Sequence, residues 1–336
     1  MAKVGNAYTT YQAQGNREDL SNRIYNIDPF DTPIFNSAGR RNITNRTFDW
    51  QTEKLPAVDG DNARQEGFEL NRAPSQPTTR QKNVAQISSR DATVSGSQES
   101  ANAAGRPSEM GAQMALKSKA LKRDMEVILA SAQPANYGDD AAVPTPRRTR
   151  GLIHFLKTNA FVPSGAGGAP VVALPANETA SYPAVPTANR VEFTEAILGD
   201  MMETAYNNGA EVKLLFAGPR LKRTFSGFKG RDSTQVLVGK TEVSMVVDIY
   251  VSDFGRIKAL PTRWMAPDVV LLLDPSYLKV AYYRTLRQVQ IAKIGDAETR
   301  MILAEWGVEV GNEAAHAVLI GAKPSATVGS SGIVTG

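Results

Sequence analysis

The sequence contains no cysteine and only two histidines, His154 and His316. The first absence excludes a disulfide framework, a thiolate metal site and a cysteine nucleophile. The second leaves little material for the commonest general base. His154 sits in the apolar run Gly151-Leu152-Ile153-His154-Phe155-Leu156, and His316 falls inside an expected strand, so each reads as a packed or interface histidine. No nucleophile elbow and no metal-ligand spacing occur. Long hydrophobic runs are missing as well. The longest clean one, Val269 to Leu273, is far too short to span a bilayer as a helix. Nor does one sign of charge dominate: 38 basic against 34 acidic residues give +4, well short of the excess usual in a dedicated nucleic-acid binder. Met1 to Gln14 holds a single lysine and no apolar core, so no signal peptide is expected, and the protein is expected to be soluble and cytoplasmic.

What is there suits a folded protein. With 42% hydrophobic and 21% charged residues over 336 positions, the chain can bury a core as one large domain or two joined ones. Asn16 with Asp19 marks a helix start, and Leu20, Ile24 and Ile27 form one apolar stripe. That helix must stop near Asp28, and Pro29 and Pro33 predict an extended path as far as Phe35. A short helix of this kind cannot fold alone. Thr47 to Glu53 alternates, with Phe48, Trp50 and Thr52 on one face, and a return strand is expected over Thr78–Ile87, continuing to Val94. Between them, Pro56 to Pro77 has almost no periodicity, and a loop that long is usually functional or projecting. Residues 47–95 therefore read as a two-stranded arm, which is marginal in water without a partner surface.

Gly96 to Gly105 reads as a hinge. The longest helix follows from Pro107 to near Gln133, with Met110, Met114, Leu121, Met125 and Ile128 on one face. Gln133–Pro146 and Phe161–Pro186 read as loops, the second with short extended pieces. A second helix is expected over Arg190–Asn208, capped by Asn208-Gly209. Leu214–Ala217 reads as a buried strand, and Gly218-Pro219 opens a short helix. The remainder reads as strands: Val243–Val251, Ile257–Leu260, Val269–Leu273, Leu278–Tyr283, Val289–Ile294, Arg300–Val310 and His316–Ile320. The tail after Lys323 is uncharged and reads as flexible or lying on a neighbour. The fold class is α+β.

Three features invite a chemical reading. Asp59-Gly60-Asp61-Asn62 followed by Glu66 has a calcium-loop flavour but lacks the full spacing, and a solvated turn is the expectation. Gly165-Ala166-Gly167-Gly168 lies between Pro163 and Pro170 rather than between a strand and a helix, so it is not a phosphate loop. Two basic clusters, Arg147, Arg148 and Arg150, then Arg220, Lys222, Arg223, Lys229 and Arg231, suit DNA phosphates, carboxylates on a neighbouring subunit, or water. No catalytic, cofactor-binding or metal residue is expected.

The segment Gly15-Asn16-Arg17-Glu18-Asp19-Leu20-Ser21-Asn22-Arg23-Ile24, running into Ile27-Asp28-Pro29-Phe30-Asp31-Thr32-Pro33, resembles the N-terminal signature of a family of tailed-phage major capsid proteins. Thr47-Phe48-Asp49-Trp50-Gln51 and Val308-Glu309-Val310-Gly311-Asn312-Glu313-Ala314-Ala315-His316-Ala317 resemble that family too, whereas 134–190 has no matching motif. The family is similar to the Hong Kong 97-type capsid fold. The resemblance implies an N-arm over 1–46 and an E-loop hairpin over 47–98. It implies a P-domain portion over 99–209, with its spine helix at about 107–133, and an A-domain over 210–277. P-domain return strands would follow over 278–310, then a C-terminal strand and tail over 311–336. It further implies hexamers and pentamers of this chain in an icosahedral shell around double-stranded DNA, assembled in a bacterial cytoplasm. Partners would be a separate scaffolding protein, since the arm begins by about residue 15, a portal and a cement protein, with non-specific DNA contact and no membrane. Some members of the wider fold crosslink an E-loop lysine to a neighbour's asparagine; Lys54 and Lys82 lie in that region without a supporting motif. The rival readings are a cellular nanocompartment shell of the same fold and an α+β hydrolase or nucleic-acid-modifying enzyme.

Overall fold

The computed structural model describes residues 28–53, 55–69, 77–101, 105–141, 143–163, 170–172, 179, 185–228, 249–293 and 295–324. The expected helix over 16–27, Lys54, the Gly165–Gly168 loop, Lys229, Arg231, the start of the strand over 243–251 and the tail lie outside these residues. The described helices are α1 (Pro33–Ser37), α2 (Gly96–Ser100), α3 (Glu109–Leu129), α4 (Leu152–Phe155), α5 (Glu195–Asn207) and α6 (Pro219–Ser226). The strands are β1 (Gly39–Asn42), β2 (Thr47–Thr52), β3 (Thr79–Val84), β4 (Gln86–Ser95), β5 (Ala160–Pro163), β6 (Pro170–Val172), β7 (Val191–Glu192) and β8 (Leu214–Ala217), then β9 (Ile249–Ser252), β10 (Gly255–Pro261), β11 (Val269–Leu273), β12 (Leu278–Ile291), β13 (Ala297–Val310), β14 (Ala317–Ile320) and β15 (Ala322–Lys323).

Two sheets carry the architecture. A four-stranded sheet runs β1-β12-β13-β4, antiparallel except where β1 lies parallel to β12. The buried stripe of α3 packs on it, bringing Met110, Met114 and Leu121 against Ala92, Val94 and Ile302. A mixed seven-stranded sheet runs β6-β5-β14-β11-β8-β10-β9. Its central β11 reads Val-Val-Leu-Leu-Leu because both faces are covered. Val270 and Leu272 face α5 and α6 among Met201, Met202, Leu221 and Phe225. Val269, Leu271 and Leu273 face the opposite way, into a cluster that also holds Ile34, Phe35, Leu129, Leu152, Val280 and Trp306. That cluster joins the two sheets into a single packed body.

Local chemistry sets the helix ends. The Ser108 hydroxyl accepts from the Gly111 N–H at 3.0 Å, and the Glu99 carboxylate from α2 accepts the Met110 N–H at 2.9 Å, so two orphan donors of α3 are satisfied. Thr194 caps α5, and Gly209, at φ +84°, turns the chain away beyond Asn208.

Several expectations need correction. The extended path through Phe35 ends early, because Pro33 occupies the first position of α1, where its fixed φ and missing N–H suit a helix. The arm over 47–95 divides at Ala85: β3 pairs with β2, whereas β4 pairs with β13 in the four-stranded sheet. The expected hinge at Gly96 starts instead with α2, capped by Ser95. The long helix begins at Glu109 and ends at Leu129, with Pro107 ahead of the cap. The helix expected from Arg190 begins at Glu195, after a 3-10 turn over Thr187–Asn189 and β7. The strands expected over 278–283 and 289–294 are one strand, β12, with register shifts against β13 between Tyr282 and Arg287. Finally, β5 and β14 flank each other in the seven-stranded sheet, so the unit formed around 210–277 recruits chain from both sides.

Candidate interaction surfaces

The β2–β3 hairpin keeps strict register from Thr47↔Val84 to Thr52↔Thr79. Alternation places Phe48 and Trp50 inward, where their rings stack at 5.8 Å and Trp50 meets Phe155 at 5.8 Å. Phe48 occupies the space above Gly307: a Cβ there would lie 2.7 Å from its ring, so glycine is required by the close approach. Asn83 welds the root. Its amide donates to the Val308 carbonyl at 2.6 Å and to Thr149 Oγ1 at 3.1 Å, and its Oδ1 accepts from Val84 N–H at 2.8 Å and Arg150 N–H at 2.9 Å. Beyond Thr52 the support ends. Leu55 is 93% exposed, Val58 98%, and Phe68 is exposed as well. A hydrogen-bonded root therefore carries a segment in which three exposed apolar side chains stand among charged ones such as Asp59, Asp61, Arg64 and Glu66.

The segment before β1 is fastened to α3. Glu126, fully buried, accepts the Ile34 and Phe35 N–H groups at 2.9 and 2.7 Å, an N-terminal cap for α1 supplied by another helix. Burial pushes its carboxyl up to about 7, against the lowering pull of those two donors. Trp264 Nε1 donates to the Asp31 carbonyl at 2.6 Å, Arg123 lies over the Trp264 ring, and Lys119 lies over the Phe30 ring. Arg41 pairs with Glu309 at 2.5 Å.

Among the described residues, the features singled out by sequence do not gather into a chemical site. His154 is buried and its Nδ1 accepts from Arg150 Nε at 2.8 Å. His316 lies just ahead of β14, its Nδ1 accepting from the Asp274 N–H at 3.2 Å, and burial lowers its pKa to about 4. The first basic cluster disperses. Arg147 pairs with buried Glu305 at 2.8 Å, which Arg284 also meets at 2.7 Å; Arg148 is exposed; Arg150 is buried over the Phe155 ring. In the second, Arg220 and Arg223 are exposed on α6, whereas Lys222 is buried against Ser226 and Phe225. Asp59 to Asn62 forms an exposed turn in which Asp59 Oδ1 accepts from the Asp61 N–H, and no group of metal-binding side chains occurs among the described residues. Lys82 stands opposite Asp49 in the hairpin and over the Tyr137 ring at 5.1 Å.

Glu126, Asn83 and Lys119 were not legible as interaction residues. Glu126 adjoins Met125 on the edge of an apolar stripe and reads as solvated, and Asn83 follows the polar run Arg80-Gln81-Lys82, which reads as an outer strand.

A family model described as the SU10 major capsid protein matches residues 4–323. The major capsid protein of Escherichia phage Phieco32 is 28% identical over 340 residues, covering 93% of this chain and 96% of that protein. Among solved structures, the capsid of a native GTA particle superposes with a TM-score of 0.60 at 12% identity, covering 96% of this chain and all of that one. A chain from Gordonia phage Cozz gives 0.57 at 12% identity, with 96% and 98% covered.

Proposed function

This chain belongs to the SU10 major capsid protein family, and from that premise we propose that its work is mechanical: copies tile a closed icosahedral shell, in hexamers and pentamers, around the double-stranded DNA genome of a tailed phage. It is a major capsid protein with the Hong Kong 97-like fold. In that frame, residues 28–46 are the root of the N-arm and the β2–β3 hairpin is the E-loop. The four-stranded sheet with α3 as its spine is the P-domain. The seven-stranded sheet with α5 and α6 is the A-domain. The boundaries follow packing rather than chain order, since β4 joins the P-domain and β5 and β14 join the A-domain.

The observation that carries this reading is the hairpin. Leu55, Val58 and Phe68 project from a root fixed by Asn83, and among the described residues nothing buries them. Apolar side chains held out on an arm are stabilised by burial against another copy. Several modest contacts of this kind, repeated around a closed shell, add as avidity. A non-enzymatic role accords with both histidines being packed inside. Scaffolding, portal and cement proteins are separate partners, the mature location is the virion, and assembly takes place in the bacterial cytoplasm.

A cellular nanocompartment would share the fold, but the family match over 4–323 and the Phieco32 relative weigh toward the phage. Size-exclusion chromatography and electron microscopy of the purified chain test the reading. Capsomers or closed particles are expected, and a monomer that never assembles, with or without its scaffolding partner, sinks it. Particles filled with enzyme instead of DNA in the native source would point to the nanocompartment.

A further inference from the structure

Two dipeptides in this chain join an Asp or Asn side chain to a following glycine, Asp59-Gly60 and Asn208-Gly209. In such a pair the glycine nitrogen can attack the side-chain carbonyl carbon, because no Cβ hinders it and the backbone swings easily. The fold treats the two oppositely. The Gly209 N–H donates to the Tyr206 carbonyl at 2.8 Å, and the Asn208 amide donates to Asn159 Oδ1 and the Thr204 carbonyl, each at 2.9 Å. Nucleophile and electrophile are both committed there. Gly60 instead stands in the exposed turn of the 55–69 segment, and among the described residues its N–H meets no acceptor. Asp59 Oδ1 accepts from the Asp61 N–H at 3.1 Å, which bends the carboxyl back toward the stretch of main chain holding the Gly60 nitrogen. The turn itself has no need of glycine. Gly60 lies outside the left-handed region, and a Cβ on it would meet nothing within 4 Å.

We propose that Asp59 is a site of spontaneous main-chain isomerisation to isoaspartate, open in the free subunit and closed when the 55–69 segment is buried in the shell. The Gly60 nitrogen bonds to Asp59 Cγ, its proton leaves with the carboxyl hydroxyl as water, and a five-membered imide closes. Water then reopens the ring. Cleavage between the nitrogen and Cγ restores aspartate. Cleavage between the nitrogen and the Asp59 main-chain carbonyl carbon leaves isoaspartate, whose backbone runs through Cβ and Cγ. The water lost is regained, so mass is unchanged and no cofactor or oxidant enters. Ring closure needs a local swing of the Gly60 peptide, which an exposed turn permits and a packed interface opposes. The product lengthens the backbone by one methylene and moves the carboxylate from Arg64, whose Nη2 lies 3.5 Å from Asp59 Oδ2. Leu55 and Val58 then lose their register with Phe68, so an isomerised copy offers an altered segment to its neighbour.

Closure on assembly rests on the capsid reading, whereas the chemistry in the free chain does not, so the two fail separately. Unassembled subunits and assembled shells are incubated side by side at neutral pH and physiological temperature. Isoaspartate is read by methyl transfer from labelled S-adenosylmethionine with an isoaspartate-specific methyltransferase, and is placed in the sequence by fragmentation mass spectrometry. Subunits should accumulate it at residue 59 and not at 208, and shells at neither. Gly60→Ala should lose most of the signal with an unchanged urea midpoint, since the turn has room for the methyl group. Asp59→Glu, which would have to close a six-membered ring, should lose all of it. Subunits without isoaspartate at 59, or with as much at 208, overturn the proposal. Equal accumulation in subunits and shells overturns it as well, since assembly then closes nothing. A native chain that never forms shells counts against the capsid reading, and the subunits alone then decide whether residue 59 is the site.

Discussion

Glu126 is a carboxylate without a charged partner, buried so that two backbone N–H groups of α1 are satisfied. Its pKa of about 7 against an ordinary 4.5 means that between those values the folded chain binds a proton which the unfolded chain has released. Stability from this group is therefore fully present below pH 4.5 and declines as pH rises through 7, by about 3 kcal/mol in all. His316 runs the other way. Its folded pKa of about 4 lies below the ordinary 6.5, so its contribution is present above 6.5 and is lost as pH falls toward 4. Between pH 4.5 and 6.5 the two slopes oppose each other. Urea unfolding of His316→Asn should show stability falling, relative to the native protein, as pH rises across that window, and Glu126→Gln should show it rising. Parallel curves for all three proteins would refute the assignment. Glu126→Ala, which leaves two buried donors unpaired, should cost about 2–4 kcal/mol at neutral pH, measured by the same unfolding experiment.

At the scale of elements, the hairpin is a lever whose fulcrum is Asn83. Replacing Asn83 with Ala strands the Arg150 and Val84 N–H groups and the Val308 carbonyl, and should destabilise the protein by about 2–4 kcal/mol. Gly307→Ala pushes on the Phe48 ring and on the Val84 carbonyl, and should cost about 1–3 kcal/mol. Both variants should be cut faster by protease within residues 53–69, and resistance equal to the native protein would show that the root is not fixed there. These elements also mark how far the sequence could be read. α3 announced itself through apolar periodicity and Pro107, α5 through periodicity and its Asn208-Gly209 end, and β11 through its uniform apolar run, whereas the N-caps Ser108 and Thr194 went unread. The break at Ala85 did not. Residues 79–95 hold no Gly or Pro before the chain reaches Gly96, and the change of partner from β2 to β13 is a tertiary choice that local sequence does not encode. α1 was hidden because Pro33 signals a break and a helix start alike. The basic clusters were legible as charge but not as placement, since burial beside Glu305 or Phe155 depends on strands far away in sequence.

At the scale of the molecule, core and arms are separable. Residues 28–38 contribute Ile34 and Phe35 to the joint core, so removing 1–35 would damage the fold itself, whereas removing 1–27 spares every buried residue described. Deletion of 55–69 likewise spares the core. Each of these two deletions should leave protein with native-like circular dichroism that fails to form stable shells, as seen by electron microscopy. Closed, stable particles from either would deny that arm its role. One further property follows from the place of β14. The strand that comes last in sequence among those of the seven-stranded sheet lies near its middle, pairing with β11 on one side and β5 on the other. A chain cut short before Ala317 leaves both neighbours with open edges and strips Val318 and Ile320 from the shared core. A chain truncated before Ala317 should therefore show a lower urea midpoint than the full chain, and an equal midpoint would deny β14 that part. The last of these strands in the chain is thus a keystone of the sheet, holding β11 and β5 together from between them.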